Sequence, residues 1–269
     1  MDISSKVFRP RTAIVTGASS GIGRASAIAL ARDGMDVAIT WNSNEEGAET
    51  TTKAVRELGR RAVAAHLDTA SAPGCADVVD SVIDRLGSID VFVNNAGATI
   101  SAPFLQLDWE TWRKVVAINL DGAFACIQRA ALRMVEQGTG GRIIAVTSVH
   151  EHQPKVGFAA YSTAKHGLGG LIKNIAIELA QYGITANAVA PGEIDVRASD
   201  RGDDIAATDR PGVPLRRPGN SAEIGDVIAF LASPAASYVN GASWTVDGGM
   251  LQMGPQGATA IADDGWRTG

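Results

Sequence analysis

The most constraining stretch of this 269-residue chain runs from Thr12 to Gly34, TAIVTGASSGIGRASAIALARDG. A short apolar run, TAIVTG, ends on glycine and passes without a linker into a segment of helical period that closes on Gly34. Glycines fall at 17, 21 and 23, a G-x-x-x-G-x-G spacing. Glycine there lets the backbone turn tightly and lets another group approach to van der Waals distance. The helix that follows offers N–H groups without intrahelical partners and the positive end of its dipole. A strand, a glycine turn and a helix in that order predict a pyrophosphate-binding turn. A ligand-free structural turn is the alternative, and the strand–turn–helix setting disfavours it.

The rest of the chain repeats this alternation. Strand patterns at 12–17, 36–41, 61–67, 89–95, 141–148, 184–191 and 243–249 are separated by helical patterns at 23–34, 43–59, 72–87, 108–137, 158–182 and 220–232. Strands alternating with helices imply right-handed crossovers and a parallel sheet covered on both faces, the α/β class. The near-continuous apolar run at 89–95 fits a strand buried on both sides. The long irregular stretch 192–219, rich in Gly, Pro and charge, reads as a lid or binding loop. A Gly/Ala-rich tail, 250–269, follows Gly249, and the length fits one large α/β domain or two small ones.

Composition excludes several function classes. The net charge is −5 and no Lys/Arg cluster resembles a nucleic-acid footprint. No uninterrupted apolar run reaches the roughly 18–20 residues of a membrane helix, and MDISSKVFRPR lacks the apolar core of a signal peptide. A cytoplasmic protein with no nucleic-acid or membrane partner is expected. Cys75 and Cys126 stand in different segments without CxxC spacing, which predicts two free, buried thiols.

A dinucleotide site must also meet the adenosine ribose. NAD-preferring sites place a carboxylate at the end of the second strand. Here that strand ends Thr40-Trp41-Asn42-Ser43. The missing acid admits a 2′-phosphate, so NADP(H) is favoured over NAD(H). Asn42 and Ser43 are candidate donors to it. Arg24 is either a further phosphate contact or a solvated helix residue. Asp68, past the third strand, is placed to accept from the adenine amino group, or to cap a turn.

SVHEHQPKVGFAAYSTAKHG (148–167) gathers most of the chain's acid–base side chains. Tyr161 and Lys165 are four apart on an expected helix and share a face. A tyrosine near its usual pKa of about 10 is a poor base at neutrality, and a neighbouring ammonium lowers that value. Ser148 ends a strand at the carboxyl edge of the sheet, where α/β sites lie. His150 and His152 have no third ligand at zinc spacing, and Ser148 lacks a nucleophile elbow. No metal is expected. His150 and Phe158 are candidate pocket-wall residues, and Glu193 is either a pocket or a lid residue.

Together these motifs resemble the classical short-chain dehydrogenases/reductases over nearly the whole chain: TGASSGIG (16–23), Asp68, NNAG (94–97), Asn119, Ser148, YSTAK (161–165), PGEI (191–194) and VDGG (246–249). TSVHEH and SNEEGAE are similar to the branch of glucose 1-dehydrogenase-like and 3-oxoacyl-carrier-protein-reductase-like enzymes. The resemblance implies a single-domain Rossmann fold with a seven-stranded parallel sheet. It also implies a homotetramer and reversible hydride transfer between NAD(P)H and an alcohol or carbonyl carbon. It assigns Asn119, Ser148, Tyr161 and Lys165 to catalysis. It assigns Gly17, Ser19, Ser20, Gly21, Ile22, Gly23, Trp41, Asn42, Ser43, Asp68, Asn95, Ala96, Gly97, Tyr161, Lys165, Pro191, Gly192 and Ile194 to the cofactor. The family's threonine is replaced at one position by Val196, which removes a hydroxyl from the expected cofactor contacts. A dinucleotide-binding regulator without turnover, and an isomerase or dehydratase on the same scaffold, are the alternatives. Substrate identity stays open among sugars or polyols, acyl thioesters and small ketones.

Overall fold

The structure, a computed structural model, describes residues 8–201 and 209–254. The middle of the expected lid and most of the expected tail therefore lie outside the described residues. Seven strands, β1 (Thr12–Val15), β2 (Asp36–Trp41), β3 (Ala62–His66), β4 (Val91–Asn94), β5 (Gly141–Val146), β6 (Ile184–Pro191) and β7 (Ser243–Val246), form one sheet. Its order is β3-β2-β1-β4-β5-β6-β7, with every neighbour parallel. The expected seven-stranded Rossmann sheet is present.

Side chains alternate across the strands, so each strand feeds two cores. Ala13 and Val15 of β1 join Val37, Ile39, Val91 and Val93 on one face. Helices α1 (Gly21–Arg32), α2 (Glu45–Glu57) and α8 (Ser221–Ala232) cover that face through Leu30, Val55 and Ile228. Ile14, Phe92 and Ile143 point the other way, beneath α3 (Cys75–Leu86), α5 (Gly122–Gln137) and α6 (Ala159–Leu179).

Local chemistry sets the helix ends. Asn44 Oδ1 accepts from Gly47 N at 2.9 Å to start α2, with Glu45 and Glu46 in its first turn. Asn220 and Glu223 form a capping box at α8. Gly87 and Gly138 end α3 and α5 in left-handed conformations.

Two expectations change. The pattern at 108–137 is not one regular helix. It divides into α4 (Trp109–Val116), a π-helical turn (Ala117–Asp121) and α5. A one-residue insertion into a helix leaves the average apolar period nearly intact, so periodicity does not reveal it. The lid contains a short helix, α7 (Val196–Arg201), and an isolated bridge between Ile194 and Gly219. Although charges interrupt it, the helical stretch Trp109–Gln137 is long and apolar enough to span a membrane by length and composition. Here its buried face includes Cys126, Ile127, Ala130 and Met134 of the core. Cys75 and Cys126 are free and buried as expected, and their sulfurs lie 3.6 Å apart.

Gly225 of α8 packs directly against the backbone of α1. A Cβ there would stand 2.9 Å from the Ala25 carbonyl carbon and oxygen. Gly225→Val is expected to destabilise the protein by about 1–3 kcal/mol through overpacking. Urea denaturation should show a lower midpoint at unchanged slope.

Candidate active site

The carboxyl ends of the strands converge where the order reverses, between β1 and β4. The turn after β1 is held open by backbone geometry. Gly17 and Gly21 adopt φ of +64° and +53°, a region costly for other residues. The turn is tied to β4 by Asn95, whose Nδ2 donates to the carbonyls of Thr16 (2.9 Å) and Gly17 (3.1 Å). In return, Thr16 Oγ1 accepts from the amides of Asn95 and Ala96, each at 2.9 Å. From the sequence, Asn94, which ends the buried strand at NNAG, is the residue expected to tie the strands together. Its amide is instead buried, with no hydrogen-bond partner for either side-chain atom among the described residues. Strand alternation decides this, because Asn94 and its neighbour point to opposite sides.

The start of α1 already holds an anion. Gly21 N donates to Asp200 Oδ1 at 2.9 Å, and Arg24 Nη1 reaches the same oxygen at 3.2 Å. Arg24 also donates to Thr51 Oγ1 at 3.2 Å and to the Ser19 carbonyl at 2.6 Å. It is therefore not a solvated helix residue. Val196 lies across Gly21, its Cγ1 2.5 Å from where a Cβ would be. Sequence reasoning missed Asp200, which no motif marks. Past β2, Asn42 and Ser43 are exposed, and Trp41 packs edge-on against His66 at 4.9 Å. Asp68 Oδ1 caps a turn by accepting from Ala70 N at 2.9 Å.

Across the crevice, Ser148 follows β5 and begins the short turn Val149–Glu151, its Oγ accepting from His150 N at 3.1 Å. Tyr161 and Lys165 lie on the first turns of α6. Burial pushes the Tyr161 pKa up, and hydrogen bonds with Ser148 and Thr99 pull it down. Thr99 was not among the residues picked from the sequence. It sits two residues beyond NNAG, where no pattern of its own marks it. Lys165 is buried, its Nζ donates to the Val146 carbonyl at 3.0 Å, and it lies 5.5 Å from the Tyr161 ring centroid. Burial lowers its pKa to about 8, against a rise due to Glu151.

Asn119 sits in the π-helical turn, fully buried, and clasps Ala98. Its Nδ2 donates to the Ala98 carbonyl at 2.8 Å, and its Oδ1 accepts from Ala98 N at 3.3 Å. Gly97 brings the groups together. A Cβ there would stand 2.8 Å from Asn119 Oδ1 and 3.6 Å from Lys165 Nζ.

His150 and Phe158 form a wall beside Tyr161, with ring centroids 6.3 and 6.2 Å from it. Glu193 is exposed and pairs with Arg210 at 2.5 Å within the lid. Gly192 N donates to the Val246 carbonyl at 3.0 Å, which anchors the lid's first residues to β7. Among the described residues, no group of three or more His, Cys, Asp or Glu could hold a metal.

Residues 17–251 match a family model described as Enoyl-(Acyl carrier protein) reductase. An uncharacterized oxidoreductase YohF of Escherichia coli K12 is 47% identical over 247 residues, 91% of this chain and 98% of that one. The chain belongs to the short-chain dehydrogenase/reductase family. A 3-oxoacyl-[acyl-carrier-protein] reductase of Synechocystis is 39% identical, over 90% of this chain and 98% of that protein. The crystal structure of acetoin dehydrogenase YohF from Salmonella typhimurium superposes with a TM-score of 0.90 at 46% identity, over 92% of this chain and 98% of that one. The protein is thus an oxidoreductase of the short-chain dehydrogenase/reductase family, of the kind that acts on CH–OH donors.

A buried ammonium destabilises the fold that carries it. The Lys165 pKa is lower folded, about 8, than unfolded, 10.5. The unfolded chain therefore binds more protons between those values, and wild-type stability rises with pH across that window. Lys165→Met is expected to be more stable than wild type near pH 7 by an amount of order 1–3 kcal/mol. Denaturation curves should show the gap narrowing from pH 8 towards 10.5.

Proposed function

We propose that this protein interconverts a small secondary alcohol and its carbonyl with a nicotinamide dinucleotide, Tyr161 donating or accepting the proton. The observation that carries this reading is the Tyr161 hydroxyl held by Ser148 and Thr99 on the same helix face as the buried Lys165. When bound, the dinucleotide supplies or takes the hydride. Ser148 Oγ and Tyr161 Oη hold the substrate oxygen between two hydroxyls. Tyr161 gives its proton to that oxygen during reduction and removes it during oxidation. The Lys165 ammonium favours the phenolate, and Asn119 keeps the chain at Ala98 and Gly97 in place. A regulator without turnover would need none of this proton machinery, and an isomerase or dehydratase would show no net cofactor oxidation.

The residues fit the dinucleotide. The turn with Gly17, Ser19, Ser20, Gly21, Ile22 and Gly23 accepts the pyrophosphate, a reading supported by the Asp200 carboxylate seated on Gly21 N and Arg24. Cofactor binding displaces Asp200. Trp41, Asn42 and Ser43 meet the adenosine ribose without a carboxylate, which favours NADP(H), and Asp68 meets the adenine. Asn95, Ala96 and Gly97, with Tyr161 and Lys165, flank the nicotinamide ribose. Pro191, Gly192 and Ile194, where β6 ends and the lid segment starts, meet the cofactor at this end. His150 and Phe158 narrow the substrate end to a small molecule. An α-hydroxyketone such as acetoin is the first candidate, supported by the Salmonella relative's described activity.

Monitoring NAD(P)H absorbance with acetoin and a panel of ketones and sugars tests the reading. Tyr161→Phe is expected to lower turnover about 10²–10⁴-fold while still binding cofactor. NADPH should bind more tightly than NADH, and Asp200→Ala should tighten both by about two- to five-fold. Tight cofactor binding without turnover of any substrate would overturn the enzyme reading, and a preference for NADH would overturn the cofactor assignment.

We infer that the protein works in the cytoplasm as a homotetramer. The outer faces of α5 and α6 expose Phe124 and Leu132, which line a cavity of about 750 Å³ together with Leu171 and Tyr182. Leu132→Glu is expected to shift the sedimenting species from tetramer to smaller forms. Unchanged sedimentation would sink that assignment of the surface.

A further inference from the structure

Glu151 is a buried carboxylate with no task in the proton transfer described above. It is 6% exposed, three residues past Ser148, at the end of the turn that begins the active-site wall. Its Oε2 accepts from Ser243 Oγ of β7 at 3.0 Å, and Ser243 is in turn 3.0 Å from His152 Nε2. Its Oε1 is buried with no hydrogen-bond partner among the described residues. A buried, singly bonded carboxylate is costly, so a fold that keeps one must compensate it with a nearby positive charge.

Two basic groups flank this carboxylate: His152 of its own turn, whose Nε2 lies 3.9 Å from Oε2, and Lys165 of α6, whose ammonium it favours. Tyr161, Lys165 and Gly169 are spaced by four and share one face of that helix. Gly169 has no side chain, and the Glu151 carboxylate fills its place. A Cβ at Gly169 would overlap Oε1 and the carboxyl carbon. The three positions therefore present a phenol, an ammonium and a carboxylate in a row.

We propose that Glu151 is a positioning residue for this reaction: seated in the gap left by Gly169, its carboxylate holds the Lys165 ammonium charged and directed along the Tyr161 face. The proposal rests on the reading of Tyr161 and Lys165 as the proton-handling pair. The charge balance follows from the packing. Lys165 sits in a region that strips water from it and favours its neutral form, and Glu151 opposes that loss. A neutral Lys165 could not favour the phenolate of Tyr161. Ser243 fixes one carboxylate oxygen and leaves the other facing α6. The titratable groups beside Glu151 among the described residues are His152 of its own turn, whose Nε2 lies 3.9 Å from Oε2, and Lys165 of α6. β7 contributes the uncharged Ser243.

The test is the pH at which Lys165 loses its proton. In protein carrying ¹³C-labelled lysine, the Lys165 Cε resonance is identified as the one absent from Lys165→Met, and its titration is followed without cofactor or substrate. Glu151→Gln keeps the side-chain shape and an acceptor for Ser243. It is expected to move the midpoint about one pH unit below that of wild type. In parallel, the alkaline limb of kcat for carbonyl reduction should move down by a similar amount. Ser243→Ala, which leaves the carboxylate in place but unfixed, should shift both readouts in the same direction by less. It keeps the test available should Glu151→Gln fail to fold. Unmoved midpoints in the folded variants would overturn the proposal. Full activity in Tyr161→Phe and Lys165→Met would instead overturn the proton-handling reading on which it rests.

Discussion

The crevice between β1 and β4 depends on one reciprocal set of hydrogen bonds. The Asn95 amide satisfies two carbonyls of the turn after β1, and the Thr16 hydroxyl receives two amides from the segment after β4. At a reversal of strand order, neighbouring chains leave the sheet edge towards opposite faces, and their backbone groups lose ladder partners. Side chains that replace those partners keep the two segments at a fixed separation. The start of α1 stays open to an anion on one side, and Gly97 stays against Lys165 and Asn119 on the other.

The proton-handling groups are expensive to keep there. Lys165 and Asn119 are almost wholly buried, and the Tyr161 pKa is raised by desolvation. Nearby carbonyls and hydroxyls offset part of the cost: Val146 for Lys165, Ser148 and Thr99 for Tyr161, Ala98 for Asn119. The residual strain of burying charge is the usual trade of stability against function. Each of these partners belongs to a strand end or the loop just past it, so the parallel sheet supplies the rigid floor from which the site is built.

Much of this was legible in the sequence because it is local. TAIVTG followed by GIGRASAIAL encodes a strand, a turn and a helix within two dozen residues. Tyr161 and Lys165 share a face by helix spacing alone. The π-helical turn at 117–121 was hidden because a helical period tolerates one extra residue. Asn94 and Asn95 could not be told apart because adjacent strand residues differ only in the face they present. Thr99, two residues past NNAG, carries no local pattern of its own.

The sequence by itself determined the alternation of elements, the glycine turn and the residues able to move a proton, since each rests on neighbours within a few positions. The tertiary structure alone decided how the remaining polar groups are spent. It set Asp200 on the α1 amides 179 residues away in the chain, placed Cys75 against Cys126, and sank Glu151 into the space at Gly169. Periodicity reports which face of an element turns inward. It does not report which residue of another element waits there, because that depends on crossovers and packing distances set by the whole chain.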